Sequence, residues 1–195
     1  MEELAQGIVI AGIDEAGRGP LVGAVLAAAV VLPADLFLPG LTDSKKLSEK
    51  KRELLFEQIQ TEAIDFGIAA ASAKEIDQYN ILQASLLAMQ RAFNKLQTAV
   101  AAAWVDGNKA PQLSVPTRTI IKGDSLVAAI SAASILAKVS RDRQMHVLDQ
   151  QYPEYGFAQH KGYPTSMHLQ AIEKYGLTPE HRLSFGPCKR LLTTS

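Results

Sequence analysis

The sequence predicts an α/β fold, a mixed five-stranded sheet with helices on both faces. Three observations carry this. The chain opens with two apolar, β-branched runs separated by a glycine-rich turn, the pattern of an antiparallel hairpin. Later strand-like runs alternate with helical stretches, giving the order β-β-α-β-α-β-β-α plus a helical tail. No repeat, low-complexity block or Gly/Ser linker divides the 195 residues, so one large core is expected.

The elements follow in order. Gly7 to Ile13 (GIVIAGI) reads as the first strand, buried on both faces. Gly17-Arg18-Gly19-Pro20 breaks any element and makes the turn. Gly23 to Leu32 is the second strand, ended by Pro33. The apolar run Leu21 to Leu32 is neither a secretory signal nor a membrane span. Glu2, Glu3, Asp14 and Glu15 precede it, where a signal needs basic residues. It also falls short of the roughly 20 residues a bilayer requires. Ser48 to Glu62 is expected as a helix with Ser48 as its N-cap and Leu54, Leu55 and Ile59 on its apolar face. Phe66 to Ala73 is a third strand. Asn80 to Thr98 is a long amphipathic helix with Leu82, Leu86, Met89, Phe93 and Leu96 inside. Ala102 to Val105 and Thr119 to Lys122 are short strands, followed by Asp106-Gly107 and Gly123-Asp124. Ser125 to about Gln150 is helical, and the loop-rich tail from Tyr152 to Ser195 carries a short helix near Ser166 to Tyr175.

Composition narrows the function. Apolar residues at 47% and charged residues at 21% are ordinary for a globular chain. The single cysteine, Cys188, excludes an internal disulfide and a cysteine-rich zinc site, fits a cytoplasmic protein, and receives no role. Net charge is zero, yet residues 1–121 carry 11 Lys/Arg against 14 Asp/Glu, whereas residues 122–195 carry 9 against 6. A neutral whole can still present a basic groove. A phosphate-cradling P-loop is excluded, because no Gly-Lys-Ser/Thr follows the glycines at 17 and 19. Size and solubility suggest a monomer.

Four carboxylates carry the chemistry. Asp14 and Glu15 follow the first strand, Asp106 ends the strand Ala-Trp-Val-Asp, and Asp124 follows Ile-Ile-Lys-Gly and opens a helix. Strand ends beside glycine turns are where α/β sheets present working residues. If the three strands lie side by side, the acids converge, and like charges at short range raise one another's pKa. A hard divalent cation resolves that conflict, and oxygen-only ligands suit Mg²⁺ or Mn²⁺. Two such ions roughly 4 Å apart would bracket a scissile phosphate. The structural alternative is that each acid is a turn former or cap, and Asp124 is well placed to cap its helix. Adjacent strand residues point to opposite faces, so Asp14 and Glu15 converge only if the chain turns there.

At this point the motifs become recognisable. Gly12-Ile-Asp14-Glu15-Ala-Gly17-Arg18-Gly19-Pro20-Leu-Val-Gly resembles the segment that opens type 2 ribonucleases H, the ribonuclease HII family. Asp43-Ser44-Lys45-Lys46-Leu47, Val105-Asp106-Gly107-Asn108 and Lys122-Gly123-Asp124 resemble further family motifs, in order. So do Ile130 to Asp142, Tyr155-Gly156-Phe157 and His160-Lys161-Gly162-Tyr163-Pro164-Thr165. The resemblance covers nearly the whole chain. It implies an RNase H-like catalytic core over residues 1–150 and a C-terminal helical substrate-binding extension over 151–195, effectively one unit. It implies that Asp14, Glu15, Asp106 and Asp124 bind Mg²⁺ or Mn²⁺, with two ions when substrate is bound and one or none without it. It further implies a nucleic-acid partner, an RNA–DNA hybrid or DNA containing ribonucleotides. The Gly17-Arg18-Gly19 turn would contact the ribonucleotide through backbone groups, and Tyr163 would sense the RNA–DNA junction by stacking on the adjoining deoxyribose. The activity implied is endonucleolytic cleavage of the RNA strand.

Other residues admit plainer readings. Lys45, Lys46, Lys50, Lys51 and Arg52 begin a solvated helix, but lysine near a helix N-terminus opposes the dipole, which favours phosphate-facing roles for Lys45 or Lys46. Lys122, Lys138, Arg141 and Arg143 fall on or beside the helix opened by Asp124 and are candidates for contacts with a nucleic-acid backbone, although Arg141 could equally pair with Asp142 or Glu154. His146, His160, His168 and His181 lack metal-ligand spacing. His160 is expected near substrate, the other three on the surface or in packing, and Trp104 in the core.

Overall fold

Apolar residues on both faces of the first two strands need cover on both sides, and the fold supplies it. The computed structural model describes residues 9–194, so Gly7, Ile8 and Ser195 of the expected elements lie outside the described residues. Five strands, β1 (Ile10–Ala16), β2 (Val25–Val31), β3 (Asp65–Ala71), β4 (Ala102–Asp106) and β5 (Thr117–Ile120), form one sheet in the order β3-β2-β1-β4-β5. The β3-β2-β1 pairings are antiparallel, and β1-β4-β5 are parallel. The helices are α1 (Glu49–Glu62), α2 (Ala73–Phe93), α3 (Gly123–Leu126), α4 (Ala128–Gln151), α5 (Phe157–His160), α6 (Ser166–Tyr175) and α7 (Gly186–Thr194).

Strand periodicity assigns the two faces. Ala11, Ile13, Val25, Ala27 and Val105 pack beneath α2 through Ala84, Ala88, Met89 and Phe93. Ala28 and Val30 meet Leu55, Phe56 and Ile59 of α1 and Ile135 and Leu136 of α4 on the other face. Gly12 is what lets α4 lie on β1, since a Cβ there would collide with the backbone of Ala129 and Ile130. A third cluster joins Leu21 and Val22 to Met145 and Leu148 of α4 and to Tyr155, Phe157, Ile172 and Cys188. The tail therefore shares its core with the loop that follows β1. Among the described residues, no helix is long and apolar enough to cross a membrane.

The mixed sheet, the opening hairpin and the flanking helices match the expected class, but several boundaries move. β1 does not stop at Ile13, because Asp14, Glu15 and Ala16 continue the ladder opposite Ala28, Ala27 and Leu26. β3 ends at Ala71, since Ser72 caps α2 through a reciprocal pair with Glu75. α2 thus begins seven residues before Asn80 and kinks there. Asn80 has φ 68°, and its side-chain oxygen accepts from the Leu82 and Gln83 amides, which caps the second half of the helix. That internal cap is the start the sequence signals. The helix ends at Phe93, not Thr98. β5 lies two residues earlier than expected. The helix expected from Ser125 is split at Val127, which is extended and whose amide closes α3 on the Gly123 carbonyl. In α1, Leu54 faces solvent and Phe56 takes its place inside. The tail holds α5 and α7 besides the expected α6.

Candidate active site

The parallel register of β1 and β4 builds the centre of the site. Ile13 lies opposite Val105, so Asp14 and Asp106 are the next residues on adjacent strands, on the α4 face. Beyond β5 the chain turns through Lys122, in the left-handed conformation at φ 58°, and Gly123. This brings α3 back so that the Asp124 amide donates to Asp106 Oδ1 at 3.3 Å. One carboxylate oxygen from each of Asp14, Asp106 and Asp124 lies within 4.8 Å of the others.

The electrostatics follow from burial. Asp14 is almost wholly enclosed, and burial, then the charges of Glu15 and Asp106, hold its pKa well above the ordinary carboxylate value. The Glu15 amide and the Ser134 hydroxyl act in the opposite sense by hydrogen bonding to it. Asp124 is raised for the same reasons, burial first and then Asp106 and Asp43. Burial alone would lower Lys45, but Asp43, Asp14, Asp124 and Asp106 outweigh it and raise its pKa. Three hard oxygen donors held together against their own repulsion, with no nitrogen or sulfur ligand beside them among the described residues, fit a divalent cation such as Mg²⁺ or Mn²⁺.

The strand geometry keeps Glu15 out of this trio. β1 stays extended to Ala16, so Glu15 points away from Asp14, and its carboxylate pairs with Arg18 at 3.2 Å. The turn begins at Gly17, whose φ of 94° favours glycine. Next to it opens a groove of about 390 Å³, walled by Gly17 to Pro20, Lys45, Arg52, Lys138, Arg141, Lys161 and Tyr163. Lys45 thus lies between carboxylates and groove, while Lys46 reaches the Ser125 hydroxyl at 3.3 Å. The Tyr163 ring faces Gly19, where a Cβ would stand 3.2 Å from Cε1.

The other candidates resolve differently. Lys138 pairs with Asp142 at 2.7 Å, and Arg143 pairs with Glu53 and lies over the Phe56 ring. Arg141 is buried and donates to the Val22 carbonyl at 2.7 Å, with no hydrogen bond to Asp142 or Glu154. Trp104 is in the core. His160 is buried against the Tyr155 carbonyl.

Two features escaped the sequence reading. Arg182, wholly buried, donates to the carbonyls of Gly17, Arg18, Pro20, Gly23 and Ala24, five along the glycine turn and the segment after it. A lone arginine in a loop-rich tail gives no local signal of this. His168 and His181 form a buried bonded pair, and burial lowers each pKa from 6.5 to about 4. His160 stacks on His168 and Tyr155 lies beside His181, and among the described residues only backbone hydrogen bonds, no carboxylate, work against the burial of either ring.

The sign of the pH effect follows. Below about 6.5 the unfolded chain takes up protons that the folded pair refuses until about 4, so stability falls as pH drops through that window. Asp14 and Asp124 titrate in the opposite sense, so the decline is best read in the Asp14→Asn/Asp124→Asn background. Urea unfolding at pH 7 and pH 5 should give a lower midpoint at pH 5. An equal or higher midpoint there would contradict a neutral pair.

Comparison with known proteins agrees with this geometry. A family model described as Ribonuclease HII matches residues 11–188. A protein called Ribonuclease HII from Psychromonas ingrahamii is 58% identical over 184 residues, 94% of this chain and 90% of that protein. Another of that name from Neisseria meningitidis serogroup B is 55% identical over 186 residues, covering 95% and 96%. The crystal structure of ribonuclease H2 from Pyrococcus horikoshii OT3 superposes with a TM-score of 0.81 at 27% identity, over 96% of this chain and 98% of that one.

Proposed function

The chain belongs to the ribonuclease HII family, and is thus an endonuclease of the RNase H type; from that premise we propose that it cuts RNA–DNA hybrids and single ribonucleotides embedded in duplex DNA. The products are 5′-phosphate and 3′-hydroxyl ends. The observation that carries this reading is the convergence of Asp14, Asp106 and Asp124 beside the glycine turn and its basic groove.

Asp14, Asp106 and Asp124 would hold the ions, and Glu15 completes the set by releasing Arg18. The ions are Mg²⁺ or Mn²⁺, two with substrate bound and one or none without. When bound, they supply Lewis acidity for the attacking water and the leaving 3′-oxygen. The chain's own residues do the rest. Lys45 and Lys46 offset phosphate charge at the mouth of the groove. Gly17, Arg18 and Gly19 offer backbone groups to the ribose, and Gly17 has no Cβ to hold the sugar away. A 2′-hydroxyl bonded there distinguishes RNA from DNA strongly, since a deoxyribose leaves the site's polar groups unpaired. Tyr163, half-exposed beside Gly19, stacks on the adjoining deoxyribose. Residues 1–150 act as the catalytic core and 151–195 as the substrate-binding extension, in a cytoplasmic monomer.

Incubating a duplex containing one ribonucleotide with Mg²⁺ or Mn²⁺ tests the whole reading, with a cut 5′ of the ribonucleotide as the expected result. No cut with either ion would favour a hybrid-binding module, and equal cutting of an all-DNA duplex a general nuclease. Tyr163→Ala should slow cleavage at the single ribonucleotide by about tenfold, roughly 1.4 kcal/mol of barrier, with metal affinity unchanged. An unaltered rate on that substrate would remove Tyr163 from the site.

A further inference from the structure

The buried histidines admit only one proton arrangement. The Thr178 amide donates to His181 Nδ1 at 2.9 Å, so that nitrogen is an acceptor and the proton sits on Nε2. His181 Nε2 faces His168 Nε2 at 3.2 Å, which makes the latter an acceptor and puts the His168 proton on Nδ1. That proton points at the Tyr163 carbonyl, 2.9 Å away. The bonds thus run in one direction, from Thr178 through two neutral imidazoles to the backbone of Tyr163. His160 adds a second tie, since it accepts from the Gly162 amide at 3.2 Å and its carbonyl accepts from the Tyr163 amide at 2.9 Å.

The other side of the same segment grips the glycine turn. His181 bridges Val22, the Arg182 amide donates to the Leu21 carbonyl at 2.8 Å, and the Arg182 side chain holds the turn's carbonyls. The offset between Tyr163 and Gly19 is therefore held by two adjacent residues, one for each partner, together with a direct bond from the Leu21 amide to the Gly162 carbonyl at 2.8 Å. We propose that His181 and His168 are positioning residues whose neutral hydrogen-bond relay fixes Tyr163 against Gly19 and thereby sets the preference for a ribonucleotide junction. The proposal rests on the reading of Tyr163 as the junction platform. It differs from plain core packing in a testable way. Packing needs only the volume of the rings, whereas a relay needs the proton directions.

Two variants separate these. His168→Phe fills the space without a donor, and His168→Asn restores an amide N–H where Nδ1 stood. The readout is the ratio of kcat/KM for a single-ribonucleotide duplex to that for a continuous hybrid. His168→Phe should lower this ratio by about tenfold, with Mn²⁺ affinity unchanged, and His168→Asn should regain most of it. Adding Tyr163→Ala to His168→Phe should cause no further loss. A folded His168→Phe with the wild-type ratio overturns the relay and leaves the Tyr163 reading intact if Tyr163→Ala alone lowers the ratio. A ratio lowered by His168→Phe but not by Tyr163→Ala overturns both. If His168→Phe does not fold, ¹⁵N spectra of the wild-type histidine rings decide. They should report the Nδ1–H form of His168 and the Nε2–H form of His181 at pH 7, and the opposite form of either ring overturns the relay.

Discussion

Asp14→Asn should abolish cleavage, by a thousandfold or more or about 4 kcal/mol of barrier, while the metal-free protein should melt at a higher temperature than wild type. Both effects have one cause. Asp14 is the most enclosed of the three converging acids, and burial, with Glu15 and Asp106 nearby, opposes its charge. That opposition is useful when a divalent cation is bound and costly when it is not. Asparagine keeps the side-chain oxygen that accepts the Glu15 amide at 2.7 Å but discards the charge. Cleavage kinetics and a melting curve without metal suffice as measurements. Wild-type turnover would contradict the catalytic role, and a lower melting temperature would contradict the electrostatic account.

Arg182→Met should strip the glycine turn of its side-chain support. The guanidinium donates to five backbone carbonyls at 2.6 to 3.2 Å, and all belong to the segment that carries the glycine turn. Methionine fills similar volume but leaves buried carbonyls without donors, a loss on the order of 3–5 kcal/mol. For a chain of this size that is a fall in melting temperature of roughly 10 °C. Burial, and then the charge of Arg141, already lower the Arg182 pKa to about 9, so the residue is held at an electrostatic cost. Lysine offers three donors from one atom in place of a planar fork, so Arg182→Lys should not restore the turn. Ribonucleotide cleavage should fail with Arg182→Met even at temperatures where the variant is folded. A melting temperature within about 2 °C of wild type, with cleavage intact, would remove Arg182 from this role.

The residues that define the elements and those that define the site were not equally legible. β-branched runs, Ser48 as a cap and the glycines beside the acids are local signals, acting over a few residues. The motifs around Asp14, Asp106 and Asp124 likewise stand in short contiguous stretches. The boundary errors arose where polar residues stay in the ladder, as at Asp14 and Glu15, or where one extended residue splits a helix, as at Val127.

By itself, then, the sequence determined the α/β class, the opening hairpin and the family, and it singled out the candidate acids. Only the tertiary structure decided which acids meet. The β1–β4 register sets Asp14 beside Asp106, while the two-residue period of an extended strand turns Glu15 toward Arg18. It alone revealed Arg182, whose acceptors lie 158 to 165 positions earlier in the chain, and the histidine relay that ends on Tyr163. Local preference is fixed by a residue and its neighbours, but register, burial and hydrogen-bond direction depend on segments that meet only when the core closes.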